Sequence, residues 1–330
     1  MSFRNFDLHD TFIKALQERV PKKTDLADCI SDILRIEKEA AYRRLTGRVN
    51  FSLREAGVIA KVLKISIDEL LQQDKERMWM PFSFWYPLTV KSMDELFDFI
   101  DEQMDLFANV VRDRESPVSM GSVYNTLPIE FYLYSPVLTK FMFFRWGYYF
   151  LGTDEFTDYS SWQLSERASN ILPRLKTLFV LDSNFYIWDE VIIWMLAREV
   201  ANMNRMHIIK DEEKQEIKFW LKDMLDKLEQ TLNTNYTPST EGARKTGFYV
   251  CPFHLGFTCH YLESAHRHRI TFQTNFTFSV IDSCYDTTFS QKLKEWVDSF
   301  RNISTRLSHS GRTERRLFFA DQHDILDQML

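Results

Sequence analysis

The stretch Ala40-Ala41-Tyr42-Arg43-Arg44-Leu45-Thr46-Gly47-Arg48 decides how the N-terminal part of the chain is read. At 3.6 residues per turn, Ala41 and Leu45 stand four apart on one helical face, which predicts that they point inward. Lys38, Glu39, Tyr42, Arg43 and Thr46 then point outward. Small residues at 40 and 41 allow close packing on a neighbouring helix. Gly47 sits where a helix C-terminus takes a positive φ, a conformation that costs glycine nothing. The pattern predicts a helix from Lys38 to about Thr46.

The flanks supply the rest of a small helical domain. Before the stretch, Phe12, Ile13, Leu16 and Val20 recur at helical spacing, predicting a first helix from Phe6 to Val20 that Pro21 stops. Thr24 is placed to cap a second helix carrying Leu26, Ile30 and Ile33 or Leu34 inward. A short break at Arg35-Ile36 separates it from the third. After the stretch come two capping boxes, Ser52-Leu53-Arg54-Glu55 and Ser66-Ile67-Asp68-Glu69, predicting a fourth and a fifth helix. Val58, Ile59, Val62 and Leu63 form the expected apolar stripe of the fourth, and Leu70 and Leu71 close the core.

Two runs carry a family resemblance: Thr46-Gly47-Arg48-Val49-Asn50-Phe51-Ser52-Leu53, and Ile59-Ala60-Lys61-Val62-Leu63-Lys64-Ile65-Ser66-Ile67-Asp68-Glu69-Leu70-Leu71. Together with Leu26-Ala27, they resemble the helix-turn-helix domain of the Cro/C1-type, lambda-repressor-like transcription regulators, also grouped as the xenobiotic response element family. The resemblance covers residues 23–71. The chain departs from the family pattern in three places. Thr24-Asp25 stands where glutamine is usual, Arg35-Ile36 replaces the usual turn glycine, and the stretch from Leu26 to Gly47 is longer by about one helical turn.

The resemblance implies that the helix around Arg43 is a recognition helix for double-stranded DNA. Such a helix reads base edges with its outward side chains and grips phosphates with cations at its flanks. On that reading Arg43 suits a bidentate guanine contact and Tyr42 an apolar or hydroxyl contact. Lys38, Arg44 and Arg48 suit phosphates, Glu39 suits a cytosine amino group, and Thr46 is a further reader. One such domain covers one half-site, so the implied target is an inverted-repeat operator bound by a homodimer.

Charge distribution points the same way. The chain carries a net charge of -6, yet residues 35–64 hold 8 basic against 3 acidic side chains. A basic island on an acidic protein confines attraction for nucleic acid to one face, although a solvated helix face has the same composition. The four cysteines, Cys29, Cys251, Cys259 and Cys284, form no paired spacing. The start, Met1 to Asp7, has no apolar core of a signal sequence. A reducing cytoplasm is the expected compartment. Phe131 to Gly152 is long enough to span a bilayer but contains Pro136, Lys140 and Arg145, which predicts a buried aromatic helix instead.

Nearly all of the 28 Phe, 13 Tyr and 8 Trp follow residue 76, so the larger core is expected there. The expected division is a DNA-binding domain over 1–76 and a regulatory or dimerisation region over 77–330. Trp79 to Pro87 reads as an apolar connector. Helices are predicted over 92–113, 131–152, 161–178, 188–207, 211–232 and 288–307. In the first of these Leu96, Phe97, Ile100, Met104, Phe107 and Val111 share a face, which suits either a core or a dimer seam. Alternation at Phe248–His254, at Phe257–Glu263 and in one strand from His268 predicts an antiparallel sheet over about 247–283. An Arg-rich turn over 311–316 precedes a last apolar stretch.

Little in that region carries chemistry. Cys251, His254, Cys259 and His260 form one metal-like cluster, but neighbouring members alternate faces of a strand, which favours packing over zinc. Ser304, Thr305, Arg306, Ser308, Ser310 and Arg312 suit either a phosphate-bearing ligand or a polar loop. No nucleotide loop, nucleophile elbow or metalloprotease motif occurs. The expected fold is mainly α with a smaller antiparallel sheet: a five-helix lambda-repressor-like DNA-binding domain plus a larger α+β C-terminal region. The expected function is that of a sequence-specific, dimeric, non-enzymatic transcription regulator. It has no cofactor and no membrane partner, and leaves room for a small-molecule effector. The alternatives are an enzyme or metal-dependent effector carried by the helix-turn-helix, and an interaction protein that does not bind DNA.

Overall fold

A computed structural model describes residues 7–20, 23–63, 65, 67–71, 83–85, 91–111, 118–152, 154–178, 183–232, 245–264, 268–274, 277–281, 287–308 and 312–330. The chain divides into two compact units, Met1–Phe82 and Ser83–Leu330.

The first unit contains α1 (Leu8–Arg19), α2 (Lys23–Leu34), α3 (Lys38–Leu45), α4 (Leu53–Leu63) and α5 (Ile67–Leu70). Asp7 caps α1 by accepting from the backbone N–H of His9 at 2.8 Å and of Asp10 at 3.3 Å. Phe12, Leu16, Leu26, Ile30, Ala41, Ile59, Ala60 and Ile65 build its core. Two details differ from the sequence reading. Thr24 lies inside the first turn of α2 and not before it. The buried stripe of α4 is Ile59 and Ala60, flanked by half-buried Ala56 and Leu63, while Val58 and Val62 are 40% and 56% exposed. About a quarter of a turn separates the two stripes: Ile59 and Leu63 belong to both, while Ala56 and Ala60 take the inner side in place of Val58 and Val62. The expected capping box at Ser66 lies outside the described residues, as does most of the connector over 79–87.

The second unit is mainly helical around a smaller sheet. Its elements are β1 (Ser83–Trp85), α6 (Met93–Val111), β2 (Ser119–Tyr124), α7 (Ile129–Tyr132), α8 (Pro136–Phe150), α9 (Glu166–Leu178), β3 (Ser183–Asp189), α10 (Trp194–Arg205), α11 (Asp211–Thr231), β4 (Lys245–Cys251), β5 (Thr258–Glu263), β6 (His268–Thr274), β7 (Thr277–Ile281), α12 (Thr287–Ile303), β8 (Thr305–Arg306) and α13 (Arg312–Met329). The strands run in the order β1-β7-β6-β5-β2-β3-β4-β8. The expected antiparallel sheet over 247–283 is therefore one part of a mixed sheet. β2, β3 and β4 are parallel neighbours, and the remaining pairs are antiparallel. The parallel strands are joined by helical crossovers, as parallel pairing requires.

One expectation changes because buried strands and buried helices share the same apolar composition. Phe185-Tyr186-Ile187-Trp188 lies in β3, whereas a helix was expected from Trp188; α10 begins only at Trp194. The single strand expected from His268 is a hairpin, β6 and β7, with Phe272 paired to Ser279. The expected Arg-rich turn is the first turn of α13. The aromatic stretch from 131 is broken at Tyr132 by the new cap Ser135, which accepts from Leu138 N–H at 3.1 Å and starts α8. No helix among the described residues is long and apolar enough to cross a membrane.

The apolar face of α6 lies in the unit's own core, with Phe97 and Met104 buried and Ile100 and Phe107 packed against it. Its other face carries Asp94, Asp98, Asp101 and Asp105, which pair with Arg167 and Arg174 on α9. Arg174 reaches Asp101 at 2.8 Å and Asp105 at 2.7 Å. Among its described side chains, that helix therefore shows no apolar dimer seam.

Packing is closest where glycine meets a ring. A Cβ placed on Gly147 of α8 would lie 2.1 Å from the ring of Phe156, which is fully buried. Gly147→Ala is expected to destabilise the protein by about 1–3 kcal/mol through overpacking, read as a lower denaturation midpoint with an unchanged m-value.

Candidate nucleic-acid interface

The third helix is set by the turns at its two ends. At its start, Arg35 ends α2 in the left-handed region, with φ 53°. Ile36 N–H bonds to Ser31 C=O at 3.1 Å, closing the turn in the Schellman manner, and Ser31 Oγ donates to Ile36 C=O at 2.6 Å. At its end, Gly47 has φ 71°. Gly47 N–H reaches Arg44 C=O at 3.0 Å and Arg48 N–H reaches Arg43 C=O at 2.9 Å, a full Schellman motif. The arginine thus occupies the backbone conformation that glycine would occupy without strain.

Ala41 is completely buried, Leu45 is half-buried, and Lys38, Glu39, Tyr42, Arg43, Thr46 and Arg48 are exposed. The outward set therefore shares one side of α3 and its C-terminal turn. Tyr42 is 51% exposed, well above what an aromatic side chain gains by folding alone. Tyr42, Arg43 and Arg48 have no side-chain hydrogen bond or ion pair among the described residues, so their polar ends face solvent.

The other members are already engaged within the protein. Lys38 Nζ lies 2.6 Å from Asp28 on α2, an exposed pair that water screens. Thr46 Oγ1 donates to Tyr42 C=O at 2.9 Å, as helix-terminal threonines often do. Arg44 is the most committed. Its Nη2 lies 2.8 Å from Glu55 Oε1, its Nη1 donates to Ala40 C=O at 3.1 Å, and both side chains of the pair are about four-fifths covered. Glu55 in turn accepts from Ser52 N–H at 2.9 Å, while Glu55 N–H reaches Ser52 Oγ at 3.2 Å, completing the first expected capping box. Arg44 thus joins α3 to the cap of α4 and is not poised toward a phosphate.

Histidine 9 makes a second tie that the sequence reading missed. Its ring lies 5.5 Å from that of Phe51, Phe51 N–H donates to Nδ1 at 3.4 Å, and Nε2 lies 3.2 Å from Arg44 C=O. Both bonds hold together only for a neutral ring protonated on Nε2. No spacing rule links residue 9 to residues 44 and 51, so no sequence signal was there to find.

The remaining candidates do not assemble. Cys251 ends β4, while Cys259 and His260 lie on β5, and β2 and β3 run between those strands. His254 pairs through Nδ1 with the buried Asp189 at 2.8 Å. No metal-binding group of three or more ligands occurs among the described residues. Burial pushes both Cys251 and Cys259 thiols up, as expected of packed, unreactive cysteines. Of the hydroxyls near the C-terminus, Ser308 is fully buried and accepts from Phe248 N–H at 3.2 Å, while Ser304 donates to Phe300 C=O at 2.7 Å. Thr305 and Arg306 form β8, Arg312 opens α13, and Ser310 lies outside the described residues.

The chain matches no protein-family model, no curated protein and no solved structure.

The hydrogen bonds to Arg44 and Ser52 hold the Glu55 carboxyl below its usual range. A depressed carboxyl contributes stability above its unfolded-state pKa and loses it as pH falls through the folded one. Glu55→Gln is expected to lower stability at pH 7 by up to about 1 kcal/mol and to flatten the acid side of the curve, seen in melts at pH 7 and pH 4. Arg35→Gly is expected to stabilise by about 1 kcal/mol by relieving the left-handed strain, which denaturant titration measures.

Proposed function

We propose that the protein is a sequence-specific DNA-binding transcription regulator that acts as a dimer on an inverted repeat. The observation that carries this reading is the outward side of α3. Tyr42, Arg43 and Arg48 stand exposed and unpartnered on a short helix whose opposite side is anchored by the buried Ala41. A helix held from behind, with its long side chains toward solvent, fits the width of the major groove.

Within this reading Arg43 reads guanine and Tyr42 contacts a base edge. Arg48, just beyond the helix, meets phosphate. Glu39 and Thr46 lie beside them on the same side. Lys38 can exchange its exposed pair with Asp28 for a phosphate at little cost, because such pairs contribute little in water. Arg44 acts by holding α3 to α4. The larger unit supplies dimerisation and any effector site, so that two recognition helices meet half-sites about 34 Å apart.

Selection from random duplexes at moderate salt tests this. An enriched inverted repeat is expected, with affinity falling steeply as salt rises. Arg43→Ala should cost about 1–3 kcal/mol and relax the preference at one base pair in each half-site. Arg48→Ala should weaken all sequences alike and reduce the salt slope by about 1. A selection that returns no motif would sink the specific-regulator reading and favour an interaction protein.

A further inference from the structure

Independently of any DNA binding, the larger unit contains a carboxyl group in a place that excludes its charge. Glu130 lies in α7, the single turn between β2 and α8, and is 2% exposed. Neither of its carboxyl oxygens has a hydrogen-bond partner, and no cation pairs with it among the described residues. Arg145 on α8 is taken up by Glu199 at 2.9 Å and by the Tyr132 hydroxyl at 3.1 Å.

The two tyrosines that interact with Glu130 come from β2 and β3, and β5 packs against the first of them. Tyr124 on β2 and Tyr186 on β3 have rings stacked 6.0 Å apart, and both hydroxyls are pushed far up by burial and by the Glu130 charge itself. The Tyr186 hydroxyl and the backbone of Glu130 itself draw the carboxyl down, but less than burial pushes it up, and neither reaches an oxygen at full hydrogen-bonding geometry. Ser122 Oγ, on β2, is likewise buried and unbonded. His260 on β5 stacks on Tyr124 at 6.3 Å, and the buried Cys259 thiol also bears on that tyrosine. An unpaired carboxylate in such surroundings has neither solvent nor counter-charge, so the folded state favours its protonated form.

The position of the group matters as much as its burial. The next residue, Phe131, lies 5.9 Å from Tyr186, 5.0 Å from Trp188 and 6.3 Å from Phe248, edge to face with each. Those three rings span β3 and β4, the parallel centre of the sheet. Glu130 and Phe131 share the single turn of α7, so a displacement of that turn from the sheet would move both.

We propose that Glu130 is a proton-operated latch, neutral while α7 is seated on the sheet and driving α7 off it on ionisation. Burial raises its carboxyl to about 7, so the latch works near neutral pH. The folded pKa lies above the unfolded one. The stability is therefore complete below the ordinary carboxylate range and is lost as pH rises to about 7. No other molecule is required, because the proton leaves to solvent.

Infrared spectra and melts of the full chain between pH 5 and pH 8 test the latch. The wild-type protein should show a protonated-carboxyl stretching band that disappears with a midpoint near 7. Glu130→Gln should lack that band. It should melt with the wild type at pH 5 and above it at pH 8, its folded-to-unfolded ratio there greater by on the order of 100-fold. His260→Gln should keep the wild-type slope. The proposal fails if the band is absent from the wild type. It fails equally if Glu130→Gln melts below the wild type throughout, or if the pH slope vanishes in His260→Gln and persists in Glu130→Gln.

Discussion

Two left-handed residues bracket the third helix, and the outward side of that helix depends on them. Arg35 turns the chain out of α2 and Gly47 turns it out of α3, each closing a set of helix-end carbonyls that would otherwise lack donors. Between them only eight residues are helical. A helix so short has little stability of its own, and its orientation comes from what holds its ends and its inner side. Ala41 against the core, Arg44 to Glu55, and His9 to the turn after Arg44 supply that hold. The exposure of Tyr42 and Arg43 follows from these constraints.

The larger unit is organised by aromatic burial on a mixed sheet. On one side of β3, Tyr186 and Trp188 pack with Phe248 and with Phe131 from α7. On the other, α12 lies across the strands, with Arg301 over the ring of Phe185 and Lys294 over that of Tyr261. Gly121 leaves room there: a Cβ at that position would lie 2.5 Å from both the Phe185 and Tyr261 rings. Rings of this size bury large areas, so the layer tolerates buried polar atoms without a partner, those of Glu130, Ser122 and Trp188 among them.

The small helical unit was largely legible because its signals are local. A helical period, a capping box at Ser52 and Glu55 and a glycine at 47 each act within a few residues, and each corresponds to a feature of the structure. The register of α4 was less legible, because Val58, Ile59, Val62 and Leu63 form as good a stripe as the one that is buried. The larger unit was harder. Phe185 to Trp188 is apolar at every position, as a strand covered on both faces must be, and such a run has no period to separate it from a buried helix. Parallel pairing of β2, β3 and β4 joins segments some sixty residues apart and leaves no local trace.

The amino-acid sequence by itself determined where α3 stops and α4 starts, and which side of α3 faces water. Those outcomes depend on hydrogen bonds and apolar spacing within one or two turns. Only the tertiary structure decided that Arg44 is bound to Glu55 while Arg43 and Arg48 remain outward. It also separated Cys251 from Cys259 by two strands and enclosed Glu130 without a counter-charge among the described residues. Each of these depends on which distant segments come together. A charged or polar side chain takes its role from the partners it finds there, and the chain order does not state them.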